Sequence, residues 1–137
     1  FADEAAGEPY GLGRVGALSQ EMPLTDFAEF VKERLSCGRV AVCDARRAVK
    51  SAAVCSGSCD EEILRAAVSS GADTLVTGEI KHSLMIEALR AGVNVVAAGH
   101  FATENVVCPV LLRQLSERFR NVEFRLAEAG VSPMFFI

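Results

Sequence analysis

The chain has 137 residues, 50% of them hydrophobic and 23% charged, enough for one domain with a substantial core. Its 14 Lys and Arg against 18 Asp and Glu leave a net charge of −4, which argues against a globally basic nucleic-acid binder. No apolar run approaches the roughly 20 residues of a membrane-spanning helix, and the acidic, polar start from Phe1 to Tyr10 is not a signal peptide.

Residues 1–23 hold many Gly and Pro with little periodicity and read as an irregular arm, with 24–137 as a single α/β lobe. Within the arm, Gly11-Leu12-Gly13-Arg14-Val15-Gly16 matches G-x-G-x-x-G, but no strand is expected before it and no helix after it. These glycines therefore read as a turn or a close backbone approach, not a dinucleotide fingerprint. Phe27, Phe30, Val31 and Leu35 predict a helix over 25–36, capped by Thr25 and stopped by Gly38. Val40 to Cys43 and Ser51 to Cys55 read as two strands joined by a basic turn. The cluster of Arg39, Arg46, Arg47 and Lys50 around it reads as solvated, without the interleaved aromatics of a nucleic-acid surface.

Helix and strand then alternate. Ile63, Leu64, Ala67 and Val68 form a helix face over 60–70, and Thr74 to Thr77 is a buried-strand run. Leu84, Met85, Ala88 and Leu89 mark a helix over 81–91, followed by a strand at 93–97. The longest helix is expected over 103–119, and an alternating strand over 122–126. This order predicts an α/β fold, a layered sheet of mainly parallel strands with helical crossovers. Strands covered on both faces read as continuous apolar runs, as these do. The apolar tail Pro133-Met134-Phe135-Phe136-Ile137 must dock into the lobe or onto a neighbouring subunit.

Five cysteines, at 37, 43, 55, 59 and 108, leave one over from any closed disulfide set, and three sit in apolar stretches. Small core hydrophobes in a reducing, cytoplasmic compartment are the simplest reading. Cys55 and Cys59 lack the second pair that a zinc site needs.

Chemistry in such a sheet belongs beyond the carboxyl ends of the strands. Three segments leave in that direction: Ser56-Gly57-Ser58, Gly78-Glu79-Ile80-Lys81-His82, and Ala98-Gly99-His100-Phe101-Ala102-Thr103-Glu104. They carry both histidines of the chain. His100 and Glu104, four apart at a strand-to-helix junction, can bring an imidazole nitrogen and a carboxylate together, a ligand pair for Zn, Mn or Fe. The simpler reading of the same residues is a helix start, with Thr103 as cap and Glu104 at the positive helix end. Glu79 with His82 reads either as a second acid/base or ligand pair or as another helix start. Asp73 reads as a turn residue, and Ser56-Gly57-Ser58 as a strand-to-helix turn with a weak claim to hold an anion.

Taken in order, the Gly11–Gly16 segment, Ala53-Val54-Cys55-Ser56-Gly57-Ser58, Thr77-Gly78-Glu79-Ile80-Lys81-His82 and the Gly99-His100-x-x-Thr103-Glu104 segment resemble the carboxyl-terminal half of the YbgI-like dinuclear metal centre proteins, the GTP cyclohydrolase 1 type 2 homologs. The resemblance implies a lobe of a two-lobed fold with two divalent ions (Zn, Mn or Fe) in the cleft between lobes, and a hexameric ring. It makes His100 and Glu104 metal ligands, and leaves Glu79, His82 and Thr103 as residues behind the ligands or facing substrate. The neighbouring His-His pair and the Asp that the other lobe supplies have no counterpart here. With Phe1 rather than Met at its start, the chain is expected to be a fragment lacking the amino-terminal lobe, with two of five ligands, weak or absent metal binding alone, and exposed apolar surface that promotes association. The implied activity is a metal-dependent hydrolase acting on a nucleotide such as GTP or on a phosphoester. The alternative is a non-catalytic, ring-forming regulatory or protein-interaction module with structural metals.

Overall fold

In the computed structural model, which describes residues 2–5 and 8–134, the chain runs β1 (Ala2–Ala5), β2 (Glu8–Gly11), β3 (Arg14–Met22), α1 (Leu24–Arg34), β4 (Ala41–Cys43), β5 (Val49–Cys59), α2 (Glu61–Ser69), β6 (Thr74–Ile80), α3 (His82–Arg90), β7 (Asn94–Ala97), α4 (His100–Asn105) and α5 (Val107–Arg118). The expected parallel core is present. β5, β6 and β7 pair in parallel through α2 and α3, and antiparallel edge strands complete a five-stranded sheet of order β3-β5-β6-β7-β4. Strands β1 and β2 form a separate antiparallel pair.

Side-chain alternation along the central strands feeds two cores. Leu75 and Val95 point to the face covered by Leu64 and Ala67 of α2 and Leu84 and Ala88 of α3. Val76 and Val96, their neighbours in sequence, point to the other face, where α1 lays down Leu24, Phe27, Ala28 and Val31. Positions 24, 27, 28 and 31 form one helical stripe. Leu64, Leu75, Val95 and Val96 are at most 1% exposed, so each contributes about 1.5–3 kcal/mol of burial.

Several expectations are corrected. The described residues of the 1–23 segment are not an irregular arm: they carry β1, β2 and β3. β3 is mostly exposed on both faces, so it shows neither an apolar run nor alternation. Of the Gly11–Gly16 glycines, Gly13 (φ +72°) serves a close approach, since a Cβ there would stand 2.7 Å from the Val54 carbonyl oxygen of β5, whereas a Cβ on Gly16 would meet nothing within 4 Å. β4 and β5 do not form a hairpin; β4 pairs with β7 at the far edge. Helix α1 begins behind Pro23 without a side-chain cap, Thr25 lies inside it, and Phe30 is half exposed. The helix expected over 103–119 is two helices, broken at Val106. Residues 122–126 form no strand. The apolar stripe of α5 is uncovered, with Val107, Val110, Leu111 and Leu115 all exposed. Residues 135–137 of the apolar tail lie outside the described residues. Among the described residues no helix is long and apolar enough to cross a membrane.

All five cysteines are free. Cys59 is buried, and burial pushes its thiol up to about 11, so it stays a protonated core side chain at neutral pH.

Asp73 is a buried anchor where a turn residue was expected. Its Oδ2 accepts the Lys50 and Ser51 backbone N–H groups at 3.0 and 3.1 Å, and its Oδ1 accepts the Thr74 hydroxyl at 2.9 Å. Beside it the buried Asn94 side chain donates to Thr74 Oγ1 and the Arg47 carbonyl and accepts from Ala45 N–H. This network pins the amino ends of β5, β6 and β7. Asp73→Ala strips buried donors of their acceptor and should lower stability by about 2–3 kcal/mol. Urea unfolding of the two proteins measures this, and a difference below about 0.5 kcal/mol would contradict the anchoring role.

Candidate metal centre

At the opposite, carboxyl end of the sheet, three backbone segments converge. β5 carries a register shift between Cys55 and Ser58, and inside it Gly57 adopts φ +70°, a bulge that glycine accommodates without strain. β6 runs past Thr77, where its strand was expected to end, so that Gly78 and Glu79 belong to the strand. The ladder to the next segment also continues, with Ala98 N–H donating to Thr77 O and Gly99 N–H to Gly78 O, both at 2.9 Å. Gly99, at φ +91°, then turns the chain into α4, which begins at His100.

Gly78 is where the three meet. A Cβ there would stand 2.6 Å from both the Gly57 carbonyl oxygen and Thr103 Oγ1, and 2.9 Å from His100 Cα. Thr103 locks α4 onto the bulge. Its buried hydroxyl accepts from Gly57 N–H at 3.1 Å and lies 3.1 and 2.9 Å from the Gly99 and His100 carbonyl oxygens, either of which takes its proton. Thr103 is thus not the helix cap; that position belongs to Gly99.

His100 projects between two carboxylates. Its Nδ1 is 3.2 Å from Glu79 Oε2, and its Nε2 is 3.1 Å from Glu104 Oε1. Ser58 Oγ donates to the same Glu79 oxygen at 3.4 Å. The three side chains are 41–55% exposed, so a ligand has access. The Glu79 hydrogen bond outweighs the opposing effect of desolvation and, with the charges of Glu104 and Glu79 added, holds the imidazole above its usual pKa. Gly57 leaves the remaining room: a Cβ there would stand 2.7 Å from Glu104 Oε1 and 3.4 Å from His100 Nε2.

The His100–Glu104 pair expected from four-residue spacing is therefore formed. Glu79 pairs with His100 rather than with His82, which stands exposed at the first turn of α3 and takes no part in these contacts. The signal for this lay in the register. Thr77 lies opposite Ala97, so Glu79 falls beside Gly99 and next to His100.

As a metal site the donor chemistry fits. An imidazole nitrogen and a carboxylate oxygen suit a divalent first-row cation, and a carboxylate on the second ring nitrogen is how metal-bound histidines are commonly oriented. The donor set is short, however. Among the described residues no three His, Cys, Asp or Glu side chains are grouped to hold one ion, whereas a catalytic zinc keeps three protein ligands.

The model of the Duf34/NIF3 (NGG1p interacting factor 3) family matches residues 3–133. The chain belongs to the Duf34/NIF3 family. A curated relative, the GTP cyclohydrolase 1 type 2 homolog of Bacillus subtilis (strain 168), is 36% identical over 132 residues, spanning 93% of this chain and 35% of the relative. The crystal structure of Staphylococcus aureus protein SA1388 superposes with a TM-score of 0.84 at 30% identity, covering 95% of this chain and 38% of that one. Protein ybgI, of unknown function, gives 0.69 at 28% identity over 77% of this chain and 43% of its own. The resemblance to GTP cyclohydrolase 1 type 2 homologs thus holds, and this NIF3-family chain spans about a third of the length of its Bacillus relative.

The packing at Gly78 sets a test of the site's architecture. Gly78→Ala drives a methyl group into backbone and a buried hydroxyl, and should cost about 3 kcal/mol or more in urea unfolding. A variant as stable as the parent would mean that the three segments do not approach as described.

Proposed function

We propose that the corner formed by Glu79, His100 and Glu104 is a divalent-metal site, and that the protein acts as a metal-dependent hydrolase. The carrying observation is the placement of His100, hydrogen-bonded through Nδ1 to Glu79 with Nε2 facing Glu104. In this reading His100 Nε2 and Glu104 hold the metal. Glu79 accepts the Nδ1 proton and so keeps the Nε2 lone pair available, and Gly57 keeps the space beside both donors open. A bound Zn, Mn or Fe ion would supply Lewis acidity and lower the pKa of its water ligand toward neutrality.

The family resemblance supports a pair of metals whose remaining ligands come from outside these 137 residues, so binding by this chain alone is weak. The name of the Bacillus relative supports a purine nucleotide such as GTP as substrate; a phosphoester suits a two-metal cleft equally well. Assembly of several copies into a ring belongs to the same proposal, supported by the uncovered apolar stripe of α5.

That stripe also favours a second reading, a ring-forming interaction module in which the metals are structural. Nucleotide or phosphoester turnover that vanishes in His100→Ala separates the first reading from the second, in which partner binding survives the substitution.

Calorimetric titration of Zn²⁺ into the chain tests the ligand assignment. The parent should bind with low affinity, and His100→Ala and Glu104→Gln should each bind about tenfold more weakly or worse, with unchanged circular dichroism. Equal binding by parent and variants would overturn the assignment.

A further inference from the structure

The cleft that reaches His100 and Glu79 has a volume of about 1080 Å³, at the upper end of small-molecule sites. Much of its lining is apolar. Leu35 and Val40 come from the segment between α1 and β4, Ile80 from the end of β6, Met85 from α3 and Phe101 from α4. Each of these side chains is half-buried, so apolar surface lines the cleft without being fully covered.

The chain itself returns to this place. α5 ends at Arg118, and the segment after it comes back so that Ser132 and Met134 line the same cleft. Ser132 holds this approach in a tight turn around Pro133: its Oγ accepts the Met134 N–H at 3.3 Å and donates to the Met134 carbonyl at 3.2 Å. Phe135, Phe136 and Ile137 follow Met134 and lie outside the described residues. Three residues reach at most about 11 Å when fully extended, so this apolar segment starts at the cleft wall and stays beside it. The two phenylalanines bring about 150–250 Å² of surface each to bury. So short a tether also gives the segment an effective concentration on the order of millimolar at its own cleft, which favours it over a second copy. The uncovered stripe of α5 is the competing surface, but Val107, Val110, Leu111 and Leu115 do not line the cleft that Met134 enters.

We propose that Phe135-Phe136-Ile137 docks into the cleft of its own chain and supplies the missing apolar wall beside Glu79 and His100. Phenylalanine rings pack well on a flexible thioether and on another ring, which Met85 and Phe101 provide. A molecule bound at the Glu79–His100 corner then meets the docked segment as part of its surroundings. The docking rests on the cleft and the tail, and stands whether or not the metal-centre reading does.

The test is methyl NMR on the whole chain, with EDTA present so that no metal contributes. Met22, Met85 and Met134 are the chain's three methionines, so labelled methionine methyl groups give three signals. In a deuterated chain with protonated phenylalanine, nuclear Overhauser contacts should join the Met85 methyl to the rings of Phe135 and Phe136. The variant Phe135→Leu, Phe136→Leu keeps the segment apolar and removes its rings, so it should erase those contacts. Phe135→Ser, Phe136→Ser should shift the Met85 signal and leave that of Met22, at the end of β3, in place as the sign of a folded lobe. Copies labelled on methionine alone, mixed with equal copies protonated on phenylalanine alone, should show no contact. Absence of the Met85 contacts in the parent, or their survival in the leucine variant, overturns the proposal. Contacts in the mixed sample overturn it in favour of a second copy as occupant. With leucine methyl groups labelled instead, tail rings that touch Leu111 and Leu115 and not Leu35 overturn it in favour of the α5 stripe.

Discussion

The absence of a side chain at Gly78 is the constraint on which the rest of the site depends. Because no Cβ stands there, the β5 bulge, the end of β6 and the start of α4 approach within van der Waals contact. That approach lets Thr103 reach the Gly57 N–H, which fixes α4 against the bulge, which in turn aims His100 between Glu79 and Glu104. Each link is a short-range contact with one geometry, so the placement of the imidazole is a consequence of backbone packing and not of a flexible loop.

The charge arrangement follows from the same packing. An imidazole between two carboxylates is drawn toward its protonated form. Glu79 and Glu104 play unequal parts, because they address different ring nitrogens. Glu104 shares α4 with His100, and the missing side chain of Gly57 leaves room beside Nε2 and Glu104 Oε1. Two donors do not complete a coordination shell, which agrees with a chain that spans about a third of its Bacillus relative.

The sequence made the centre of the fold legible and hid its edges, for one physical reason. β6 and β7 are covered on both faces, so the lining of two cores is written as Thr-Leu-Val-Thr and Val-Asn-Val-Val runs bounded by glycine. β3 sits at an edge with most of its side chains in water and carries no such signal. Residues 122–126 alternate as a strand does yet pair with nothing, since alternation alone cannot supply a sheet edge. The apolar period runs unbroken through Val106, which concealed the break between α4 and α5. At the site, His100 and Glu104 were legible because their partnership is local, four residues along one helix. The partnership of Glu79 with His100 was not legible, because it depends on the β6–β7 register, which spacing along the chain does not contain.

The proposed metal site is tested most directly by which ring nitrogen of His100 a divalent cation meets. A crystal of the chain soaked in Mn²⁺, with data collected for its anomalous signal, reads this in one map. The account predicts a peak bonded to His100 Nε2 and the Glu104 carboxylate, with Nδ1 still hydrogen-bonded to Glu79. A peak on the Nδ1 side, or one that bypasses His100 altogether, would contradict it.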